Sequence, residues 1–218
     1  MTLNDLGVKA GTDKSSLRHN YLPAYEQHLA PYRDQPITLL ELGVLDGASL
    51  RMWRDWLPAA TIVGLDHKQP ISVTGCTILH GEQDDPAAIG CVAEHGPFQV
   101  IIDDASHLSS KTIASFELLY PHLNPGGLYI IEDLHASYWP GIYGNQDADT
   151  NPDTSKHTIM AYLKRLADDV MFDPTTHPAP DDPRQALYPR KHWRGHHLAA
   201  VTFRYGICFI QKHPDADH

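Results

Sequence analysis

The sequence has few cysteines and no long apolar run, and each absence excludes a class of protein. It has 3 cysteines, none of them in a Cys-x-x-Cys pair, so it predicts neither a disulfide framework nor a cysteine-based zinc site. No stretch approaches the roughly 20 apolar residues of a membrane-spanning helix. The first residues lack the basic and apolar parts of a signal peptide. These features predict a cytoplasmic protein with no membrane partner.

Basic residues are also scarce. Lys and Arg number 17 against 27 Asp and Glu, and the resulting net charge of −10 argues against a nucleic-acid partner, since an acidic surface repels phosphates. Hydrophobic residues make up 42%, which is enough for a packed core. Because 218 residues suit one α/β domain and are few for two, we expect a single domain over residues 1–218.

Two short apolar runs end abruptly in acids that are followed by a histidine. Residues 98–107 read FQVIIDDASH, and residues 128–135 read LYIIEDLH. Such runs are typical of strands buried on both faces of a parallel sheet, whose carboxyl ends carry the ligands. If the two strands are neighbours, one rim of the sheet collects Asp103, Asp104, His107, Glu132, Asp133 and His135.

The chemistry expected at this rim is that of a metal site with a general base. Crowded carboxylates repel one another, and a bound divalent cation relieves the repulsion. A histidine accepts protons near neutral pH, so His107 is a candidate base. His135 is a second candidate, although a hydrogen-bonded rim residue is the simpler interpretation.

A strand, a glycine turn and a helix come earlier in the chain. The turn has the form Glu-x-Gly-x-x-x-Gly, with Glu41, Gly43 and Gly47, and differs from the Gly-x-Gly-x-x-Gly that dinucleotide enzymes bring against a pyrophosphate. This spacing suits a cofactor without phosphates, such as S-adenosylmethionine. The next strand ends in Asp66, which either accepts hydrogen bonds from both ribose hydroxyls of an adenosine or is a helix N-cap or loop aspartate; together with Gly43 and Gly47 it favours the ribose role.

The remaining segments supply less specific signals. Gln83 and Asp84 are expected over an adenine edge, although Asp84 or the next aspartate also suits a helix cap. The polar residues 8–21, by themselves, favour a surface arm. Residues 136–158 and 172–196 predict loops, and residues 197–212 predict an antiparallel hairpin. The first loop carries three aromatic residues that either wall a substrate pocket or belong to an ordinary surface loop: Tyr138, Trp139 and Tyr143.

Longer motifs extend the pattern beyond the rim. GTDK near the start, LLELGVLDGASLRMWRDW, DDASH and PGGLYIIEDLHASY resemble the metal-dependent sugar O-methyltransferases of antibiotic biosynthesis, of the mycinamicin, macrocin and tetracenomycin rhamnosyl type. The resemblance covers roughly residues 11–138. It implies a Rossmann-like class I methyltransferase fold, with a mostly parallel seven-stranded sheet, a carboxyl-terminal antiparallel hairpin and helices on both faces.

The resemblance also implies roles for individual residues. Magnesium, or another divalent cation, is expected on Asp104, Glu132 and Asp133, with His107 as the general base. S-adenosylmethionine is expected to contact Glu41, Gly43, Asp66 and Asp84, with Asp103 near its methionine portion. The family's GTDK segment folds over the cofactor, so residues 11–21 are expected to form a lid that binds the cofactor through Thr12, Lys14 and Tyr21.

The resulting hypothesis is magnesium-dependent transfer of a methyl group to a hydroxyl of a sugar, on a natural product or a nucleotide-activated sugar. A catechol-type phenol is an alternative acceptor, since neighbouring oxygens on a magnesium ion fit both. A nicotinamide-dependent oxidoreductase and a non-catalytic nucleoside- or sugar-binding module are alternatives from other classes. The acceptor, and whether the chain forms a homo-oligomer, stay open.

Overall fold

The computed structural model describes residues 1–68, 71–139, 158–170 and 198–215. Within these ranges it contains the α/β sheet that the sequence predicted. The helices are α1 (Leu3–Ala10), α2 (Leu22–Leu29), α3 (Ala48–Trp56), α4 (Pro86–Ala93), α5 (Ser109–Leu119) and α6 (Ile159–Val170). The strands are β1 (Thr38–Leu42), β2 (Thr61–Asp66), β3 (Cys76–His80), β4 (Phe98–Asp103), β5 (Leu123–Ile131), β6 (Leu198–Arg204) and β7 (Ile207–Lys212).

The seven strands lie in the order β3-β2-β1-β4-β5-β7-β6. The first five run parallel, and β7 is antiparallel to both β5 and β6. The expected neighbours β4 and β5 and the terminal hairpin are therefore confirmed. The strand order reverses between β1 and β4, and open α/β sheets bind ligands at such a reversal.

Both faces of the sheet are buried under helices, and neighbouring residues of a strand point to opposite faces. On one side Leu39 and Ile102 pack with α1, α2 and α3, including Trp53 of α3. On the other side Leu40 and Ile101 pack with α4, α5 and α6. The helices on both faces explain why the strands read as continuous apolar runs in the sequence.

Local signals account for where several helices begin and which way they face. Asp85 caps α4 by accepting a hydrogen bond from the backbone of Ala87, so the cap is the second of the two aspartates considered. Helix α6 has apolar residues on one face, and it buries Ile159, Leu163 and Leu166. No helix in the described parts of the chain has the length and apolar character needed to cross a membrane.

The strand ends are tied together beyond the sheet itself. The amide of Gly43 donates to the carbonyl of Leu65 at 2.8 Å, and the amide of Asp104 donates to the carbonyl of Leu42 at 3.0 Å. The amide of Glu132 donates to the carbonyl of Asp103 at 3.0 Å. These bonds hold the loops that follow β1, β4 and β5 at fixed positions along one rim.

A substitution at Gly43 probes how closely the loops at this rim are packed. Its φ is +86°, and an added Cβ would lie 2.1 Å from the backbone oxygen of Asp104, which cannot move independently of the sheet. We expect Gly43→Ala to lower the free energy of unfolding by roughly 2 kcal/mol or more, measured by urea denaturation.

A matched glycine provides the control. Gly90 lies inside α4, and its added Cβ would meet no atom within 4 Å. Gly90→Ala should therefore raise the free energy of unfolding by about 0.5–1 kcal/mol. Equal stability of Gly43→Ala and the wild type would contradict the close approach at the rim.

Candidate active site

A cavity of about 650 Å³ opens at the rim, where the strand order reverses. This volume is within the range of small-molecule sites. A smaller cavity of about 200 Å³ shares Gly43, Asp66 and Ser106 with it, so the two form neighbouring parts of one cleft. Of the predicted site residues, the large cavity is lined by Thr12, Lys14, Gly43, Asp66, Asp104, His107 and Asp133.

Asp66 organises the glycine turn. One carboxylate oxygen accepts hydrogen bonds from the amides of Val44 and Leu45, both at 2.8 Å, and the other accepts from Lys68 at 2.8 Å. Burial by itself would raise the pKa of Asp66, but the three backbone hydrogen bonds lower it below its usual value. The side chain is therefore an ionised, fixed acceptor, and a carboxylate has about four lone-pair positions, so one stays available to a hydroxyl.

Gln83 borders the smaller cavity but uses its polar atoms within the protein. Its amide nitrogen donates to Asp103 and Ser115, and its oxygen accepts from the amide of Ser106 at 2.8 Å. Burial raises the pKa of Asp103 to about 6. Asp84 borders neither cavity and forms an ion pair with Lys111 at 3.1 Å.

The innermost part of the rim is a cluster of three acids around one lysine. The ammonium of Lys14 lies 3.3 Å from Glu41 and 2.9 Å from Glu132, and it donates to Asp104. The hydroxyl of Tyr25 donates to Glu132. Only 1% of the Lys14 side chain is exposed, so the surface arm that residues 8–21 suggested by themselves is wrong: this segment is folded onto the strand ends.

One ammonium cannot neutralise three neighbouring carboxylates, of which Glu41 and Glu132 are buried and Asp104 is partly buried. Burial by itself would lower the pKa of Lys14, but the neighbouring acids raise it well above its usual value. Burial raises the pKa of Glu41 to about 7, and burial together with the charge of Asp104 raises the pKa of Glu132. The cluster therefore retains a proton near neutral pH.

Asp104, His107 and Asp133 converge on the cavity side of this cluster. Each offers one ligand atom, and these atoms lie within 4.8 Å of one another. Nε2 of His107 is 3.6 Å from Asp133, and the hydroxyl of Tyr21 donates to Asp133 at 2.8 Å. His107 and Asp133 have φ of +56° and +52°, a costly conformation for residues with side chains, and functional sites are where such strain concentrates.

Aromatic rings lie on the far side of Asp133. His19 stacks with His135 at 6.3 Å, and His135 contacts Trp139 edge-on at 4.6 Å. Burial lowers the pKa of His135, and its Nδ1 has no hydrogen-bond partner among the described residues. Tyr138 and Trp139 are 36% and 41% exposed, and Tyr143 lies outside the described residues.

Several predicted site residues border neither cavity: Tyr21, Glu41, Gly47, Asp84, Asp103, Glu132, His135, Tyr138 and Trp139. The alternation of side chains along the strands explains two of them. Asp103 points to the face covered by α5, where it meets Ser115, whereas Glu132 points to the opposite face, where it meets Tyr25. In each pair of neighbouring acids, the second (Asp104 or Asp133) borders the cavity and the first (Asp103 or Glu132) does not.

The sequence did not reveal that Tyr25 contacts Glu132 or that His19 lies near Asp133. Tyr25 is completely buried on the apolar face of α2, and nothing in its spacing marks the hydroxyl as a partner of an acid 107 residues away. His19 reads as part of a polar segment, yet its Nδ1 lies 3.9 Å from Asp133. Both contacts depend on how the amino-terminal segment folds over the sheet.

The chain is similar in sequence to known methyltransferases, although no family model matches it. It is 34% identical over 235 residues to the 8-demethyl-8-alpha-L-rhamnosyl tetracenomycin-C 2'-O-methyltransferase of Streptomyces olivaceus, covering 99% of this chain and 56% of that protein. It is 33% identical over 221 residues to the mycinamicin VI 2''-O-methyltransferase of Micromonospora griseorubida, covering 96% and 52%. The chain thus spans about half the length of the curated relatives it matches.

A solved structure has the same architecture. The MycE methyltransferase from the mycinamycin biosynthetic pathway, in complex with Mg, SAH and mycinamycin VI, matches with a TM-score of 0.83 at 29% identity. The match covers 98% of this chain and 55% of that chain. The α/β fold with a mostly parallel seven-stranded sheet is therefore that of a methyltransferase.

The buried acid Glu41 should make stability depend on pH. Its pKa rises from 4.5 to about 7 on folding, so the folded chain holds a proton that the unfolded chain releases between those values. Its contribution to stability is present at low pH and lost as the pH rises through 7. In EDTA we expect Glu41→Gln to gain roughly 1–3 kcal/mol relative to the wild type between pH 5 and pH 8, measured by urea denaturation at each pH.

The exposed Glu94 is the control for this measurement. Glu94→Gln makes the same chemical change on the surface, and its difference from the wild type should stay constant over the same range. A constant difference for Glu41→Gln as well would contradict a protonated acid in the buried cluster.

Proposed function

This chain is a relative of the sugar O-methyltransferases of antibiotic biosynthesis, and we propose that it catalyses magnesium-dependent methylation of a sugar hydroxyl with S-adenosylmethionine as the methyl donor. The observation that carries the proposal is the convergence of Asp104, His107 and Asp133 on a cavity at the reversal of strand order. The named activities of the relatives support it, as does the Mg, SAH and macrolide content of the MycE complex.

The residues present fit a divalent cation. Asp104 and Asp133 offer carboxylate oxygens beside the cavity, and magnesium prefers oxygen ligands. We propose these two acids as ligands, with Glu132, the next acid inward, as the third. When bound, the ion would orient neighbouring hydroxyl oxygens of the acceptor and stabilise negative charge on them.

The glycine turn and Asp66 are the proposed contacts for the methyl donor. Gly43 lets the backbone after β1 approach the rim closely, and Asp66 presents an ionised carboxylate to a ribose hydroxyl. The smaller cavity, bordered by Gln83 and Leu108, is the proposed site of the adenine ring. S-adenosylmethionine supplies an already activated methyl group, so the protein's task is to position the acceptor and remove its proton.

His107 is the proposed general base. A sugar hydroxyl is a poor nucleophile until its proton leaves, and a neutral imidazole accepts protons near pH 7. The carboxylate of Asp133, 3.6 Å from Nε2, would stabilise the imidazolium that forms. Tyr21 fixes that carboxylate with its hydrogen bond, so the lid segment contributes to the orientation of the base.

The half-exposed aromatic residues are the proposed acceptor side. His135 and Tyr138 lie in the short helix that follows Asp133, and Trp139 comes directly after it and contacts His135, so we propose these residues as the acceptor contacts. Aromatic faces pack against the apolar faces of sugars and of polyketide aglycones. A glycoside is therefore the proposed class of acceptor, with a catechol as the competing one.

Metal removal tests the cation requirement. We expect EDTA to abolish methyl transfer to a rhamnoside or macrolide glycoside, and added Mg²⁺ to restore it, because the acceptor oxygens would lose their counter-charge. The assay follows formation of S-adenosylhomocysteine with glycoside and catechol acceptors side by side. Full activity in EDTA would contradict the metal requirement, and methylation of catechol alone would contradict the glycoside assignment.

Replacement of the base separates chemistry from binding. We expect His107→Gln to lower kcat by about 10²–10⁴-fold, because the acceptor hydroxyl would lose its proton acceptor. The affinity for S-adenosylhomocysteine, measured by calorimetry, should change less than about threefold, since the proposed nucleoside contacts are elsewhere. A variant with wild-type turnover would place the base on another residue, with His135→Gln as the next variant to test.

A further inference from the structure

We propose that Lys14 is a positioning residue whose ammonium competes with the divalent cation for Asp104 and Glu132. The inference rests on the proposed function, because it concerns the cation of the same site. In this view the metal-free chain carries its own counter-cation, and divalent metal binds only by weakening the ion pairs of that lysine.

The ammonium of Lys14 lies between two carboxylates that we propose as metal ligands. It contacts Asp104 and lies 2.9 Å from Glu132, two of the three proposed ligands. Glu132 also accepts a hydrogen bond from Tyr25, so its carboxylate is directed inward and not at the cavity. Only Asp104 and Asp133 among the three proposed ligands border the cavity.

The backbone around Lys14 is built to hold this position. Its amide donates to the hydroxyl of Thr12, and its carbonyl accepts from the amides of Tyr21 and Leu22. With 1% of its side chain exposed, the lysine has no alternative partner in water. Its ion pairs therefore link the lid segment directly to Asp104 and Glu132, whereas Tyr21 links the segment to Asp133.

Electrostatic repulsion between the Lys14 ammonium and the divalent cation predicts that the ammonium weakens metal binding. A divalent cation on Asp104 would bring a second positive charge close to the ammonium, and both would draw on the same carboxylates. Removing the ammonium should therefore strengthen metal binding. A lysine with a merely structural role predicts the opposite, since disordering the acids around it would weaken metal binding.

The test is the affinity for Mn²⁺ alone, measured by calorimetry and by electron paramagnetic resonance on metal-free protein. Lys14→Met keeps the length and apolar stem of the side chain and removes its charge. We expect its Kd for Mn²⁺ to fall by about tenfold or more relative to the wild type. Lys9→Met, which removes the same charge from an exposed position in α1, should stay within about twofold.

Thermal unfolding provides a second readout on the same proteins. In EDTA the acids of Lys14→Met lack a counter-cation, so its Tm should lie below that of the wild type. Saturating Mg²⁺ should then raise the Tm of Lys14→Met by more than it raises that of the wild type. Folding of this variant only in the presence of divalent cation would also support the competition.

The wild type allows a test that does not depend on any variant. Coupling between two sites is reciprocal, so metal should weaken the docking of residues 11–21 when no nucleoside is bound. Amide hydrogen exchange in this segment should become about tenfold faster on adding Mg²⁺. Unchanged or slower exchange would overturn the proposal, as would equal or weaker Mn²⁺ binding by Lys14→Met.

These outcomes separate the inference from the proposed function. If the wild type binds Mn²⁺ and methylates a glycoside while Lys14→Met binds Mn²⁺ no more tightly, only the competition is wrong. If the wild type binds no Mn²⁺ and methylates without metal, the proposed metal-dependent function is wrong, and the competition with it.

Discussion

The ion pairs of one buried lysine are the interaction on which the rest of the site depends. Lys14 joins Glu41 at the end of β1, Asp104 after β4 and Glu132 after β5, so a single ammonium ties three strand ends to the amino-terminal segment. Without a cation among them, these three neighbouring carboxylates would repel one another. The same charge balance would favour the proposed divalent cation, because one ammonium leaves the acids under-neutralised.

The cleft itself follows from the order of the strands. The strand order reverses between β1 and β4, and open α/β sheets bind ligands at such a reversal. Gly43 lets the loops that follow β1 and β4 approach closely, and Asp66 holds the first by hydrogen bonds to its backbone. The proposed nucleoside contacts therefore belong to a preformed surface, whereas the proposed acceptor contacts, Tyr138 and Trp139, are more exposed.

Much of the fold could be predicted from the pattern of apolar residues in the sequence. β1, β4 and β5 carry apolar residues at neighbouring positions because both of their faces are covered, and this pattern indicates a parallel sheet. The resemblance to sugar O-methyltransferases is confirmed by relatives at 33% and 34% identity over nearly the whole chain. Contacts such as that of Tyr25 with Glu132 could not be predicted from the sequence, because they join residues far apart in the chain and leave no periodic signal.

The sequence by itself determined the class of the sheet, the adjacency of the two acid-tipped strands and the set of residues that could meet at their ends. Those features depend on hydrophobic period and on short connections, which are local properties. Only the tertiary structure decided the partner of each acid. Whether Glu132 faces a cavity or a lysine depends on the strand's pleat and on where residues 11–21 dock, and no single segment encodes that docking.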